Sequence, residues 1–112
     1  DRHPPEQFWK QSLVTSRLLD YELWTRLHAR RLAESHGDAA RALTARLAYL
    51  ELVAPVLARA LEAFPSPVRT LDALHLASAH FLHDRDPHLT LATYDATLGA
   101  AARAIGLAVV EP

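Results

Sequence analysis

Two aspartates lie where an α/β protein presents side chains to its ligands. Asp72 falls in the first turn of a helix that residues 69–79 predict, and Asp95 ends the strand pattern of residues 89–95. The carboxyl ends of parallel strands, and the helices that follow them, face the binding crevice of such a sheet. Divalent cations such as Mg²⁺ take oxygen ligands and act on phosphate groups. The two acids therefore predict a site that can hold a divalent cation.

Both aspartates also have structural explanations. Asp95 is placed to cap a helix over residues 96–105, because its carboxylate can accept N–H groups of the first turn. Asp72 follows a possible cap, Thr70, and its charge meets the positive end of the helix dipole. A capping acid can also bind a metal, so the local pattern leaves both roles open.

A third acid, Glu22, lies in the second turn of a helix that follows a short strand predicted at residues 12–15. Leucines on either side of it predict a half-buried carboxylate. The structural alternative is an ion pair with Arg26 at i,i+4 spacing, worth only about 0.3–0.5 kcal/mol. Asp20 points to the opposite side of the helix, and we expect it to stay outside a shared site.

The C-terminal quarter has a strand–helix–strand pattern. Side chains alternate along residues 89–95 as in a strand. Apolar residues from Leu98 to Ile105 then recur at helical spacing, and Gly106 is placed to end that helix. Residues 107–110 form a short apolar run. Such a unit implies neighbouring parallel strands.

The first half of the chain predicts three helices with extended pieces between them. A helix capped by Ser16 should stop near Gly37, because glycine commonly follows a helix end. Asp38 should cap an alanine-rich helix over residues 39–50. Pro55 should begin the third helix, since proline fits the first helical turn.

Composition restricts the class of protein. A chain of 112 residues with half of its residues hydrophobic predicts one small globular domain. A net charge of −1 argues against a strong non-specific nucleic-acid patch. Arginine supplies eleven of the twelve basic residues, which suits phosphate recognition or reflects a GC-rich genome. The absence of cysteine excludes disulfides and thiolate metal sites. Without an apolar run of about 20 residues or a signal pattern, we expect a cytoplasmic protein and no membrane partner.

The ordered motifs resemble those of PIN domains, and most closely the VapC toxins of toxin–antitoxin pairs. Glu22 stands six residues after Ser16, the segment Asp-Ala-Leu-His-Leu-Ala begins at Asp72, and Thr-Tyr-Asp ends at Asp95. The resemblance covers essentially all of residues 12–112. It implies an α/β fold, a three-layer α/β/α sandwich with a mainly parallel central sheet.

The resemblance also implies that the protein is an endoribonuclease whose activity depends on Mg²⁺ or Mn²⁺. In such enzymes clustered acids bind one or two cations, and an activated water attacks the phosphodiester. By position, Glu22, Asp72 and Asp95 match three of the four family acids, and Thr93 matches a hydroxyl position that orients water. The implied partners are an RNA substrate, an antitoxin protein that blocks the site, and a second copy in a homodimer.

One family feature is absent from the sequence. PIN domains begin with a hydrophobic strand that ends in the first acid, and nothing before Ser12 resembles it; Asp1 is followed by a proline-rich turn. Because the chain also has no Met, we expect residues 1–112 to form a single PIN-like domain whose first strand lies upstream. The alternative is a catalytically inactive PIN-like module that serves in binding or assembly.

Two further features of the sequence involve histidine. The first is a cluster of acids and histidines after residue 79, which we interpret as a solvated loop, with a zinc site as the alternative. The members are His80, His83, Asp84, Asp86 and His88. His75 stands one turn after Asp72 and either contacts the site or packs in the interior; packing is the favoured interpretation.

Overall fold

A computed structural model describes residues 3–112 of the chain, so Asp1 lies outside the described residues. After a 3₁₀ turn at Glu6–Lys10, helices and short strands alternate. The helices are α1 (Leu18–Ala29), α2 (Ala33–Thr44), α3 (Ala54–Ala60), α4 (Thr70–Arg85) and α5 (Ala96–Ala104). The strands are β1 (Val14–Ser16), β2 (Ala48–Leu50), β3 (Thr90–Ala92) and β4 (Ala108–Val110). This alternation confirms the predicted α/β class.

All strand pairing in the described residues is parallel. Strand β1 pairs with β2, with Thr15 opposite Tyr49, and β3 pairs with β4, with Leu91 opposite Val109. The strand–helix–strand prediction for the C-terminal quarter is therefore confirmed. The four strands form two separate two-stranded sheets, and residues 3–112 contain no further strand that joins them.

Helix α1 ends earlier than predicted, at Ala29 instead of near Gly37. Arg31 adopts a left-handed conformation with φ 58°. The N–H of Leu32 donates to the carbonyl of Leu27 at 2.7 Å, and that of Arg31 donates to His28 at 3.1 Å. These two bonds form a Schellman motif, which normally uses glycine at the left-handed position. The helix end could not be predicted from the local pattern, because arginine occupies this position.

Gly37 lies inside α2 and does not terminate a helix. It is buried where α2 crosses α1, and a β-carbon at this position would approach the Trp24 ring to 3.2 Å. Asp38 therefore lies within α2 and does not cap it, contrary to the prediction. The residue is glycine because two helices need close contact, which a local pattern does not reveal.

The predicted helix over residues 39–50 is also wrong in its second half. Alanine favours helix, yet α2 stops at Thr44 and residues Ala48–Leu50 form β2. Pairing with β1 overrides the local preference, since propensity is a weak prior against tertiary contacts. The third helix does carry Pro55 in its first turn, as predicted, and ends at Ala60.

The main hydrophobic core lies between α4, α5 and the β3–β4 pair. Leu76 and Ala102 are fully buried in it, and Leu107 is nearly so. Gly106 follows α5 with φ 91°, and the N–H of Leu107 donates to Ala102 at 3.0 Å. This second Schellman motif confirms the predicted helix end. The core thereby fixes the start of α4 and the start of α5 relative to each other.

Candidate active site

The starts of α4 and α5 line a cavity that is open to solvent and has a volume of about 480 Å³. Asp72 comes from the first turn of α4, and Asp95 is the residue before α5. The described residues that line the cavity are Pro67, Val68, Arg69, Asp72, Asp95 and Thr97. Two of the acids predicted from sequence therefore share one cavity.

Asp95 caps α5, as predicted. Its Oδ1 accepts the backbone N–H groups of Thr97 at 2.9 Å and Leu98 at 3.1 Å. Its own N–H donates to the Thr93 hydroxyl at 3.0 Å. These bonds fix both the backbone and one carboxylate oxygen. The other oxygen, Oδ2, has no hydrogen-bond partner within residues 3–112, so it is available to a ligand in the cavity.

Asp72 lies in the first turn of α4 but is not preceded by a capping side chain. The helix begins at Thr70 with Arg69 as the N-cap residue, and no side chain accepts an N–H there. The expected Thr70 cap is therefore wrong. Asp72 is half-buried and forms no hydrogen bond or ion pair with a described residue. Its negative charge lies near the positive end of the α4 dipole, where it is favoured.

Glu22 is paired with His75 and not with Arg26. The Nε2 atom of His75 lies 2.5 Å from Glu22 Oε1, and about one fifth of each side chain is exposed. This contact joins α1 to α4 across 53 residues of sequence. Because His75 stands one turn after Asp72, the contact holds Glu22 beside the first half of α4. His75 is mostly buried and its ring contacts Glu22, so a packing histidine with a hydrogen-bond partner and a contact with an acid of the predicted site are both compatible with its position.

The three acids do not form a ready-made metal cluster. Within residues 3–112, no three His, Asp or Glu side chains come close enough to share an ion. Asp72 and Asp95 share the cavity, while Glu22 is engaged by His75. The same finding removes the zinc hypothesis for the cluster after residue 79, where His80 Nε2 lies 3.9 Å from Asp84.

Asp20 belongs to a separate polar network, as expected. It accepts hydrogen bonds from Arg17 and from the Tyr49 hydroxyl, and Arg17 also binds Glu51 through Nε and Nη2. The hydrogen bond from Arg17 lowers the pKa of Glu51, and the same bond raises the pKa of Arg17. Partial burial and then the bond to Asp20 raise the pKa of Tyr49. The network ties the end of β2 to the start of α1.

The donor set in the cavity suits a hard divalent cation. Mg²⁺ is commonly bound through one or two carboxylates and keeps several waters or substrate phosphates as its remaining ligands. Asp72 and Asp95 supply two carboxylates, and Asp95 Oδ2 accepts no hydrogen bond from a described residue. The absence of cysteine leaves oxygen and imidazole as the strong ligands of this chain. The residues present therefore fit a Mg²⁺ or Mn²⁺ ion without a preformed cage.

Comparison with known families decides the relationship. Residues 5–104 match the PIN domain. The chain belongs to the PIN-domain family. It is 38% identical over 100 residues to Ribonuclease VapC35 of Mycobacterium tuberculosis, strain CDC 1551 / Oshkosh. The alignment covers 88% of this chain and 72% of the relative. Ribonuclease VapC35 of strain H37Rv matches to the same extent, and no solved structure matches significantly.

Membership of the PIN family confirms the resemblance that the ordered motifs indicated, and the α/β fold with parallel strands agrees with it. In the part of the chain that the structure describes, no helix is both long and apolar enough to cross a membrane. Sequence reasoning missed the other residues that line the cavity of this PIN domain, of which Arg69 and Thr97 have polar side chains. Their positions beside Asp72 and Asp95 were the available signal.

Proposed function

We propose that this PIN domain is a divalent-cation-dependent endoribonuclease and the toxin of a toxin–antitoxin pair. The observation that carries the proposal is the placement of Asp72 and Asp95, from two different helix starts, in one cavity. The ribonuclease name of the VapC35 relatives supports the same activity.

In this proposal Asp72 and Asp95 hold Mg²⁺ or Mn²⁺, and Glu22 is the third acid of the site. When bound, the cation supplies Lewis-acid stabilisation of the phosphate charge and lowers the pKa of water. The chain contributes fixed negative oxygens: the helix N–H groups hold Asp95 Oδ1 in place. His75 similarly fixes Glu22.

We assign to Thr93 the orientation of the attacking water. Its hydroxyl oxygen already accepts the N–H of Asp95 at 3.0 Å, so the hydroxyl lies at the turn that presents the Asp95 carboxylate. A hydroxyl has one donor and two acceptor positions. Thr93 can therefore keep its contact with Asp95 and still donate to a water molecule in the site.

The proposal extends to partners and location. RNA is the substrate, and a cognate antitoxin protein binds the toxin and blocks the cavity. Two copies form a homodimer in the cytoplasm, and each copy is a single PIN domain. These assignments rest on the similarity to VapC proteins and are open to direct test.

The test is cleavage of single-stranded RNA with Mg²⁺ or Mn²⁺, and again with EDTA. We expect cleavage that requires the cation and falls at least about a hundredfold in Asp72→Asn and Asp95→Asn, because even mutations around metal ligands cost about 10- to 100-fold. Asp38→Asn is the matched control, since this exposed acid pairs with Arg41 on α2. RNA binding without cleavage by the unmodified chain would instead support the alternative, an inactive PIN-like binding module.

A further inference from the structure

The cavity that holds Asp72 and Asp95 also has a positively charged side chain in its lining. Among the described residues that line it, Arg69 is the basic one. An RNA strand is a polyanion, so two bare carboxylates at the cavity wall repel it. A cation at the same wall lowers that repulsion and attracts phosphate groups.

The guanidinium of Arg69 is not engaged elsewhere. It forms no ion pair, hydrogen bond or ring contact with any residue of the range 3–112. Other arginines are occupied: Arg17 binds Glu51, Arg41 binds Asp38, and Arg85 stacks over the Phe81 ring at 3.6 Å. Arg69 therefore lines the cavity with its hydrogen-bond donors unused.

The backbone of Arg69 is nevertheless fixed. Its carbonyl accepts the N–H of Ala73 at 2.8 Å, the first hydrogen bond of α4. The residue itself is extended, with φ −77° and ψ 163°. Because α4 is anchored in the core through Leu76, the side chain extends from a rigid point. A ligand that it binds is thus held within reach of the start of α4, where Asp72 lies.

We propose that Arg69 binds a phosphate group of the RNA that occupies this cavity, an inference that rests on the proposed ribonuclease function. The planar guanidinium presents paired N–H donors that match two phosphate oxygens, which a lysine ammonium does not. Arg69 is therefore a substrate-binding residue, placed beside the carboxylates but not itself a cation ligand.

A purely structural role makes a different prediction. If Arg69 served only to neutralise Asp72 and Asp95 by its charge, Arg69→Lys would retain the full RNA affinity, whereas a paired guanidinium contact with phosphate would be retained only in part. The absence of an ion pair between Arg69 and either acid in the described residues argues against the purely neutralising role. The salt dependence of RNA affinity counts the phosphate contacts, since each contact to a single strand contributes about 0.7 to the slope of log K against log salt.

The experiment uses the full chain with Arg69→Gln and Arg69→Lys, and Arg103→Gln as the control for charge. Arg103 is exposed in the last turn of α5, at the end of that helix remote from the cavity. The probe is a single-stranded oligoribonucleotide with Ca²⁺ in place of Mg²⁺, checked by gel electrophoresis to remain intact, and binding is followed by fluorescence anisotropy at several salt concentrations. KM and kcat are measured in parallel on unmodified RNA.

We expect Arg69→Gln to lose about tenfold in RNA affinity, as for a hydrogen bond to a charged group, and about 0.7 of the salt slope. KM should rise by a similar factor with kcat little changed, because the contact is present before and during reaction. Arg69→Lys should keep the slope but regain only part of the affinity, and Arg103→Gln should behave as the unmodified chain.

Unchanged affinity and slope in Arg69→Gln would overturn the assignment of Arg69, even if the chain cleaves RNA. Failure of the unmodified chain to cleave RNA would overturn the proposed function, while the binding measurements would still decide about Arg69. If the unmodified chain does not bind the oligonucleotide at any salt concentration, both proposals are wrong.

Discussion

At the scale of single residues, Asp95 combines two roles that need different oxygens. Its Oδ1 accepts two helix N–H groups, while Oδ2 has no partner within residues 3–112. Capping uses the neutral hydrogen-bonding capacity of the side chain, whereas cation binding needs its charge. An amide retains the first property and lacks the second, so substitution can separate the two roles.

We therefore expect Asp95→Asn and Asp95→Ala to differ in stability but not in cation binding. Asn preserves the cap and should change the free energy of unfolding by only a few tenths of a kcal/mol, whereas Ala should lose about 1 kcal/mol. Both should bind Mn²⁺ much more weakly than the unmodified chain. Urea denaturation and calorimetry with Mn²⁺ measure the two effects. Unchanged Mn²⁺ affinity in Asp95→Asn would remove this residue from the proposed metal site.

The contact between His75 and Glu22 is the second feature at this scale. Both side chains are largely shielded from water, and they come from α1 and α4. A carboxylate shielded in this way is costly when its hydrogen-bond partner is removed. The contact therefore sets the position of Glu22 and contributes to the joining of the two helices.

We expect His75→Leu to lower the free energy of unfolding by about 1–3 kcal/mol, because it leaves the Glu22 carboxylate without its donor. His75→Gln should recover part of this loss, since its amide N–H is a donor of similar reach. The double variant with Glu22→Gln should be less destabilised than the sum of the single variants. Strict additivity in a urea-denaturation cycle would show that the two side chains do not interact.

At the scale of secondary structure elements, a network joins the end of β2 to the start of α1. Arg17 binds Glu51 and Asp20 and also lies over the Tyr49 ring at 4.1 Å. The ionised form of Glu51 is favoured in the folded chain, so its pKa lies below the ordinary value of 4.5. Stability from this contact is present above the ordinary pKa and is lost as pH falls through the folded-state pKa.

We expect Glu51→Gln to weaken the acid dependence of stability. The unmodified chain should lose stability more steeply than the variant as pH falls below the ordinary pKa of 4.5, because the variant has no carboxylate to protonate. Urea midpoints measured across this range test the expectation. The control is Glu62→Gln, an exposed acid after α3 that forms no ion pair within residues 3–112. Parallel pH profiles for the unmodified chain and Glu51→Gln would show that the network does not contribute.

The same scale shows what the sequence predicts and what it does not. The Asp95 cap, the proline in the first turn of α3 and the Gly106 helix end were predicted, because each depends on neighbours within a few residues. The end of α1 was not, since Arg31 adopts a conformation that glycine normally marks. The prediction that Gly37 ends a helix was wrong, because the reason for glycine there is a contact with Trp24 on another helix, which a local pattern does not reveal. The pairing of Glu22 with His75 was missed for the same reason, a separation of 53 residues.

At the scale of the whole molecule, the sheet is divided into two parallel pairs. Parallel strands are usually covered on both faces within larger sheets, and two-stranded sheets are marginal by themselves. Each pair presents unpaired backbone groups at its outer edges, which favour pairing with another extended segment. The expectation of a further strand outside residues 1–112 stays a prediction.

We therefore expect residues 1–112 alone to self-associate, with a dimer as the smallest species that persists on dilution. Light scattering coupled to size-exclusion chromatography across a concentration series measures this. Exposed apolar surface just after α3 is a competing cause, because Leu61 is 90% exposed. Leu61→Lys should leave association unchanged if strand edges carry it. A monodisperse monomer at all concentrations would contradict the expectation.

The central claim is that Asp72 and Asp95 hold a divalent cation in the cavity between α4 and α5. The most direct measurement is an anomalous difference map from crystals of this chain grown with Mn²⁺. The account predicts a peak in that cavity, about 2.0–2.2 Å from a carboxylate oxygen of each residue, since octahedral ions of this kind lie near 2.1 Å from their oxygen ligands. The same crystals of Asp95→Asn should lack the peak. A map with Mn²⁺ bound only elsewhere, or with no peak between the two carboxylates at saturating Mn²⁺, would contradict the account.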